Sequence, residues 1–309
     1  MRIAVVGVGG TGGYFGGLLA RACEDVTFVA RGATLAALRA DGLTVKSKVE
    51  GEFTLPVSAT DDPAAVGPVD LVLFCVKTYD TATAAEHIRP LIDDDTVILS
   101  VQNGVDNEER IAEAVGAEHV VGGIAGVSAH IEAPGVVAVD QEPGWLRFGE
   151  LSGEPSERTE RLLRLFERAP FAATSHTDIR VQMWEKFVFI CALSGVTTMT
   201  RLPVGPIFAS LASTQLFRGV MEEAAAVARA LGVPMPDERV DHWFRLATGL
   251  NPAVYGSMYH DLAAGRRLEV ASLNGAVVRF GQAHGASTPL NFAVFAALEP
   301  VADGASPRP

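Results

Sequence analysis

Three glycines near the start of the chain, Gly7, Gly9 and Gly12, stand at G-x-G-x-x-G spacing within "VVGVGGTGGYFGG". They follow a β-branched apolar run and open a helix-like segment, and each has its own steric task. One permits a tight turn, one lets backbone approach a pyrophosphate closely, and one lets the helix pack close to its strand. The helix N-terminus, carrying Gly10 and Thr11 between the motif glycines, then turns free N–H groups toward phosphate. An ordinary glycine-rich turn has the same letters, but the strand–loop–helix setting favours a dinucleotide.

The second strand of such a unit selects the dinucleotide at its end, about 20 residues on. There "DVTFVARG" has no acidic residue for the ribose hydroxyls; Asp25 lies at the strand's start, and the terminal position is held by Arg31. A guanidinium suits a 2′-phosphate, which points to NADPH (NADP+); the alternative is a solvated surface arginine. Two further strand ends carry polar groups: Lys77 closes "VLFCVKTYD", and Gln102, Asn103 and Gly104 close "VILSVQNG". Each alone reads equally as a cap or a turn, but together, beside the glycine loop, they form a polar rim where α/β sheets bind ligands.

The second half of the chain holds a different kind of candidate. Lysine occurs four times against 21 arginines, and Lys186 stands at the head of the apolar run "EKFVFICALSGVTT". At 100° per residue, Lys186, Ile190, Ser194 and Thr197 share a helical sector roughly 80° wide. Spacing leaves Lys186 open between a snorkelling lysine and a chemical one. Further on, "VYGSMYHDLAAGRRLEVASLNG" places Ser257, Asp261 and Glu269 around a Gly-Arg-Arg turn. Glu269 is expected in the first turn of a helix, where the macrodipole favours a carboxylate. No G-x-S-x-G elbow suggests a hydrolase.

These residues need elements to position them. Runs such as "RIAVVGV", "VDLVLFCVK" and "TVILSVQNG" are apolar throughout, and they alternate with helix-like segments, the pattern of a parallel sheet covered on both faces. "GLTVKSKVEGEFTLPVSAT" reads as an inserted hairpin region, "GVVAVDQEPGWLRFGEL" as strands about a turn, and "PSERTERLLRLFERAP" as a helix before a last strand in "FAATSHTDI". From about residue 177 the texture becomes helical, with a stop at Gly232 before Pro234 and Thr288–Pro289 placed as N-cap and N1. The expectation is an α/β protein: a Rossmann-type doubly wound parallel sheet over residues 1–176, then an all-α domain over 177–309, ending in a disordered tail "ADGASPRP".

The ordered set "GVGGTG", Arg31, "CVKTYD", "QNG", "WEKF", "GSMYHD" and "GRRLEVASLNG" spans nearly the whole chain and resembles the ketopantoate reductase (2-dehydropantoate 2-reductase) family. The resemblance implies a Rossmann domain joined to a helical domain with the site in the cleft between them. It implies reduction of ketopantoate to pantoate with NADPH, in the route to pantothenate and coenzyme A. Carried over residue by residue, it makes Lys186 the catalytic lysine, acting as electrophile and general acid, and Glu269 the active-site glutamate. Ser257 would contact substrate, Lys77 and Asn103 would orient cofactor and substrate, and Ala129 would line the cofactor site. A lysine with a pKa near its usual value of about 10.4 stays protonated at neutral pH, as a general acid must. The family's substrate-binding asparagines fall at Ile190, Ser194 and Val204, and none of these is an amide here. That leaves the reaction class intact and favours a less polar, bulkier or aromatic 2-oxo acid. The alternatives are a reductase of another carbonyl or imine and an NADP-binding redox sensor without turnover.

Composition bounds the partners. With 25 basic and 37 acidic residues the net charge is −12, which disfavours nucleic acid. Cys23, Cys75 and Cys191 have no C-x-x-C spacing and read as reduced, buried thiols of a cytoplasmic protein; no histidine spacing suggests a metal. No apolar run reaches the roughly 20 residues of a membrane span. A small-molecule 2-oxo acid is the expected partner, with the chain a monomer or homodimer.

Overall fold

The computed structural model describes residues 1–22, 24–139 and 144–304. Cys23, residues 140–143, where a turn is expected from sequence, and most of the C-terminal tail lie outside the described residues. The chain divides into two compact units, residues 1–102 with 106–179, and residues 103–105 with 180 onward. The sequence boundary at 176/177 falls slightly before that division.

The first unit runs β1 (Arg2–Val6), α1 (Gly10–Arg21), β2 (Asp25–Val29), α2 (Gly32–Asp41), β3 (Leu43–Ser47), β4 (Gly51–Leu55), β5 (Ser58–Thr60) and β6 (Leu71–Phe74). It continues through α3 (Thr81–His87), β7 (Val97–Ser100), α4 (Asn107–Val115), β8 (Val120–Gly126), β9 (Ala129–Ala133), β10 (Val136–Val139), β11 (Trp145–Gly149), α5 (Glu157–Phe166) and β12 (Ala172–Ser175). Among the described residues the main sheet has eight strands in the order β12-β11-β8-β7-β6-β1-β2-β5. Its pairings are parallel except β8 with β11. Strand order reverses between β1 and β6, so the carboxyl ends of these two strands form the switch point at which such sheets bind ligands. β6 and β7 are buried along their whole length, as their unbroken apolar runs predict. Odd residues such as Ile3, Val5 and Leu73 face one core, while even residues such as Ala4, Val6 and Phe74 face another.

The inserted hairpin forms as β3 and β4, but it does not stand alone. β3 also pairs in parallel with β10, giving a second sheet ordered β4-β3-β10-β9. α1 lies between the two sheets, and its glycines mark the contacts. A Cβ at Gly16 would lie 2.7 Å from the Phe28 ring and 2.8 Å from Val5, whereas one at Gly13 would lie 2.6 Å from Val137 and one at Gly17 2.9 Å from Val45. The run "GTGGYFGG" is therefore a helix made thin enough to pack on both sides. α5 opens with a capping box, Ser156 and Thr159 each satisfying the other's backbone amide.

The second unit contains α6 (Ile179–Thr200), which begins at the last residue of the first unit, then α7 (Val204–Ala209), α8 (Leu211–Ala230), α9 (Asp237–Thr248), α10 (Ser257–Ala263), α11 (Asn274–His284) and α12 (Pro289–Leu298). Its core joins Trp184, Phe187, Cys191, Phe217, Val277 and Val294. Gly232 has φ +77° after α8, a left-handed stop as expected. Thr288 and Pro289 do sit at N-cap and N1 of α12, but the Thr288 side chain makes no capping bond. The carboxylate of Glu223, on α8, takes that role, accepting from the backbone N–H of Leu290 (2.8 Å) and Asn291 (2.9 Å). The Asn291 Nδ2 also donates to Glu223 and to the Val220 carbonyl. Asn274 Nδ2 donates to Asn291 Oδ1 (3.0 Å) and to the Cys191 carbonyl (3.2 Å). One buried polar chain thus links α8, α12, α11 and α6. Cys75 and Cys191 are free thiols, and burial pushes both up in pKa. Among the described residues, no helix is long and apolar enough to cross a membrane.

Tyr14 of α1 is fully buried, donates to Glu50 Oε1 (2.8 Å) and accepts from the Gly144 N–H (2.9 Å). Tyr14→Phe leaves that buried amide without its acceptor and is expected to cost about 1–3 kcal/mol of stability. It should lower the urea midpoint at unchanged m value, and an unchanged midpoint would show that the amide finds another acceptor.

Candidate active site

The glycine loop sits at the switch point. Gly7 has φ +94°, and a Cβ there would lie 2.7 Å from the Val76 nitrogen; one at Gly12 would lie 2.1 Å from the Gly7 carbonyl oxygen. A Cβ at Gly9 would meet nothing within 4 Å. The first two glycines are therefore demanded by packing, and the third faces open space, the division of labour that a bound pyrophosphate requires. α1 has no side-chain cap and no acidic residue in its first turn, so Gly10, Thr11 and Gly12 present their amides toward an anion. Gly10 packs on the Ala129 carbonyl, a Cβ there falling 2.3 Å from that oxygen, which fixes the start of β9 beside the loop. These residues fit the diphosphate of a dinucleotide.

Arg31 follows β2, exposed, with its Nη2 3.2 Å from Asp80 Oδ2. Lys77 follows β6 and precedes a short 3-10 turn over Thr78–Asp80. The carboxyl ends of β6 and β7 are tied by Gln102, whose Nε2 donates to the Val76 carbonyl (2.8 Å) and to Thr81 Oγ1 (2.9 Å). Gln102 is a brace beneath the rim. Glu108 is buried close by, and desolvation lifts its carboxyl to about 8 against the lowering effect of the Ser100 hydroxyl, so it is mostly neutral at pH 7. Asn103 groups with the second unit, where Val105, two residues on, joins the apolar core.

In the second unit, "WEKF" resolves into three separate tasks. Trp184 packs edge-on against Phe187 with ring centroids 5.3 Å apart. Glu185 pairs with Arg239 and accepts from Trp243 Nε1 (3.4 Å), which ties α6 to α9. Lys186 is half-buried, and desolvation lowers its pKa to about 8 while the charge of Glu269 opposes that fall. At neutral pH the ammonium form still predominates, by about ten to one. The ordinary lysine pKa expected from sequence is thus replaced by one close to the working range, because the amine is desolvated.

Glu269 is buried but not helical. It lies in the segment ahead of α11, five residues before Asn274, and its carbonyl accepts from the Ser272 and Leu273 amides. The first-turn expectation is corrected accordingly: α11 begins only at Asn274, so the carboxylate precedes the helix rather than sitting in its first turn. Asp261 accepts from Arg266 Nε (2.8 Å) and closes the Gly-Arg-Arg turn, a structural task. Ser257 is exposed at the first position of α10.

Sequence reading missed Thr197 as a positioning group. Its hydroxyl donates to the Leu193 carbonyl (2.6 Å) and accepts the Gly256 N–H (3.0 Å), fixing the residue before Ser257 to α6. Gly256 lies flat on that helix, a Cβ there falling 2.5 Å from Ser194 Cα. Ile190, Ser194 and Val204 are all buried. Asp80 was also missed, since its partner Arg31 is 49 residues away and no local pattern joins them. The structure thus brings Gly7, Gly9, Gly10, Thr11, Gly12 and Ala129 together in the first unit, with Lys77 following the Cys75 and Val76 backbone that lies against Gly7. In the second unit it sets Lys186 within the field of Glu269, and Ser257 beside the Ser194–Thr197 turn.

Known proteins share both halves. Residues 3–153 match the family described as Ketopantoate reductase PanE/ApbA, and residues 178–302 its C-terminal counterpart. An uncharacterised oxidoreductase of Bacillus subtilis, YkpB, is 29% identical over 97% of this chain and 98% of its own. The crystal structure of 2-dehydropantoate 2-reductase from Geobacter metallireducens is 35% identical, covering 97% of this chain and 99% of that one, with a TM-score of 0.90. A D-mandelate dehydrogenase solved with NADH and anilino(oxo)acetate has the same fold, with a TM-score of 0.90 at 21% identity, covering 97% of this chain and 98% of that one. With its glycine loop at the switch point and both domain matches in order, the chain belongs to the ketopantoate reductase family of oxidoreductases.

Proposed function

We propose that this chain reduces a 2-oxo acid to the 2-hydroxy acid with NADPH, ketopantoate being the default substrate, and that Lys186 is the general acid. The reading is carried by the Lys186 amine, half-buried on α6 with the buried Glu269 carboxylate acting on it. When bound, the reduced nicotinamide supplies hydride to the carbonyl carbon. The carbonyl oxygen then gains charge, and the Lys186 ammonium neutralises it and donates a proton from Nζ. A pKa of about 8 makes that proton easier to give than from an ordinary lysine, while most of the population still carries it at pH 7. Glu269 keeps the amine charged against desolvation and orients it. Ser257, set on α6 through Gly256 and Thr197, would hold the substrate carboxylate with its hydroxyl. Gly7, Gly9, Gly10, Thr11, Gly12 and Ala129 would hold the diphosphate, Arg31 the 2′-phosphate, and Lys77 and Asn103 the orientation of cofactor and substrate.

A second reading concerns the substrate only. Ile190 and Val204 are buried and apolar, and Ser194 lies under the backbone of Gly256. The α6 face beside Lys186, and Val204 at the start of α7, therefore offer little hydrogen bonding to a hydroxylated side chain, which favours a less polar or aromatic 2-oxo acid. A panel of 2-oxo acids monitored by NADPH oxidation decides between them: turnover confined to other acids removes ketopantoate, and no turnover on any of them removes the reductase reading.

Two measurements test the lysine. Lys186→Ala should lower kcat/KM by about 10²–10⁴-fold with NADPH still bound, the usual worth of a positioned acid; a loss under tenfold would argue against the assignment. For the native protein, kcat/KM for reduction should be level at neutral pH and fall as pH rises through about 8, because the active form is protonated. A profile that stays level to pH 9.5 would contradict a general acid of that pKa.

A further inference from the structure

We propose that Asp80 is a specificity-determining residue for the cofactor, opposing Arg31 and narrowing the preference for NADPH over NADH. The inference rests on the reading above, in which Arg31 faces the adenosine ribose at the end of β2.

Asp80 closes the 3-10 turn and runs directly into α3. Here its backbone is at φ −100° and ψ −2°, and the carboxylate makes no capping bond. It reaches instead across the strand ends to Arg31, Oδ2 lying 3.2 Å from Nη2. The two side chains retain 39% and 73% of their accessible surface respectively, so a ligand can reach both. An exposed pair of this kind contributes little to stability, in the range of about 0–1 kcal/mol. The ion pair therefore adds little to folding, and the arrangement matters mainly to what binds beside it.

The two cofactors differ at this point by one phosphate. The 2′-phosphate of NADPH carries between one and two negative charges near neutral pH, needs the Arg31 guanidinium, and is repelled by the Asp80 carboxylate. The 2′-hydroxyl of NADH carries no charge and can donate to that same carboxylate, as acidic residues do at the ribose of NAD-binding folds. Arg31 thus favours one cofactor and Asp80 the other, from a single ion pair. Lys77, three residues before Asp80 at the end of β6, adds a second cation to the rim and keeps it able to hold a phosphate despite the carboxylate.

The test is titration calorimetry of NADPH and NADH, separately, against native protein, Asp80→Asn and Arg31→Ala at low and at high salt. The Asn variant keeps the shape while removing the charge. It is expected to raise the ratio of Kd for NADH to Kd for NADPH by about tenfold at low ionic strength, as removal of one charge a few ångströms from a phosphate should. The gain should shrink at high salt as the exposed charges are screened. A ratio within twofold of native for Asp80→Asn overturns the inference. Arg31→Ala is expected to lower the ratio; if it leaves the ratio unchanged, the placement of the ribose at Arg31 is wrong and the inference falls with it. Because binding is read without turnover, failure to reduce any 2-oxo acid would overturn the functional reading alone.

Discussion

Burying an ammonium is the constraint around which the helical unit is arranged. Desolvation disfavours the charged form of Lys186, and an answering negative charge is needed to oppose it. The answer is Glu269, placed by a non-helical segment ahead of α11. For the two groups to meet, α6 and α11 must keep a fixed register. The buried Asn274 amide holds it, donating at once to the Cys191 carbonyl of α6 and to Asn291, which is itself clamped by Glu223 of α8. The chain is not fully satisfied, because Asn274 Oδ1 is buried without a donor. A fault at Glu223 would be felt at α6 through two asparagines.

The first unit solves a different problem, that of bringing backbone close to a charged ligand without a side chain in the way. Gly12 approaches Gly7 so closely that α1 is pressed onto β1, and the same helix is thinned again at Gly13, Gly16 and Gly17 so that two sheets can close on it. The loop's geometry is thus continuous with the core packing of α1, and it needs no residue whose only purpose is binding. The Gln102 brace does for the ends of β6 and β7 what the glycines do for β1.

Much of this was legible in the sequence. β1, β6 and β7 announce themselves as runs apolar on both faces, and the glycine spacing identifies the switch point because each glycine answers to a steric need. The second sheet was not legible as such: the β3–β10 pairing joins residues about 90 positions apart, for example Val45 with Val137, and no local pattern records it. The Thr288 cap was placed correctly but assigned to the wrong side chain, since Glu223 comes from another helix. Lys186 could be singled out by its rarity and its setting, whereas its desolvation depends on tertiary packing and its link to Glu269 became visible only through family resemblance. Asp80 lay in plain view within "CVKTYD", but its importance lies in a contact 49 residues away.

Gly256 carries a consequence for how this site could change over time. Because residue 256 rests directly on the helix backbone at Ser194, the space above position 194 is shared between two segments of the chain. A longer side chain at 194 competes with the loop that carries Ser257, and a side chain at 256 competes with α6. The contact at 256 is mainly with the helix backbone, so no change of side chain at 194 makes room for a Cβ there, and the glycine is fixed by the path of α6 itself. The start of α10 is thus held against α6 by backbone on both sides, and its placement is indifferent to which side chains the two segments carry elsewhere.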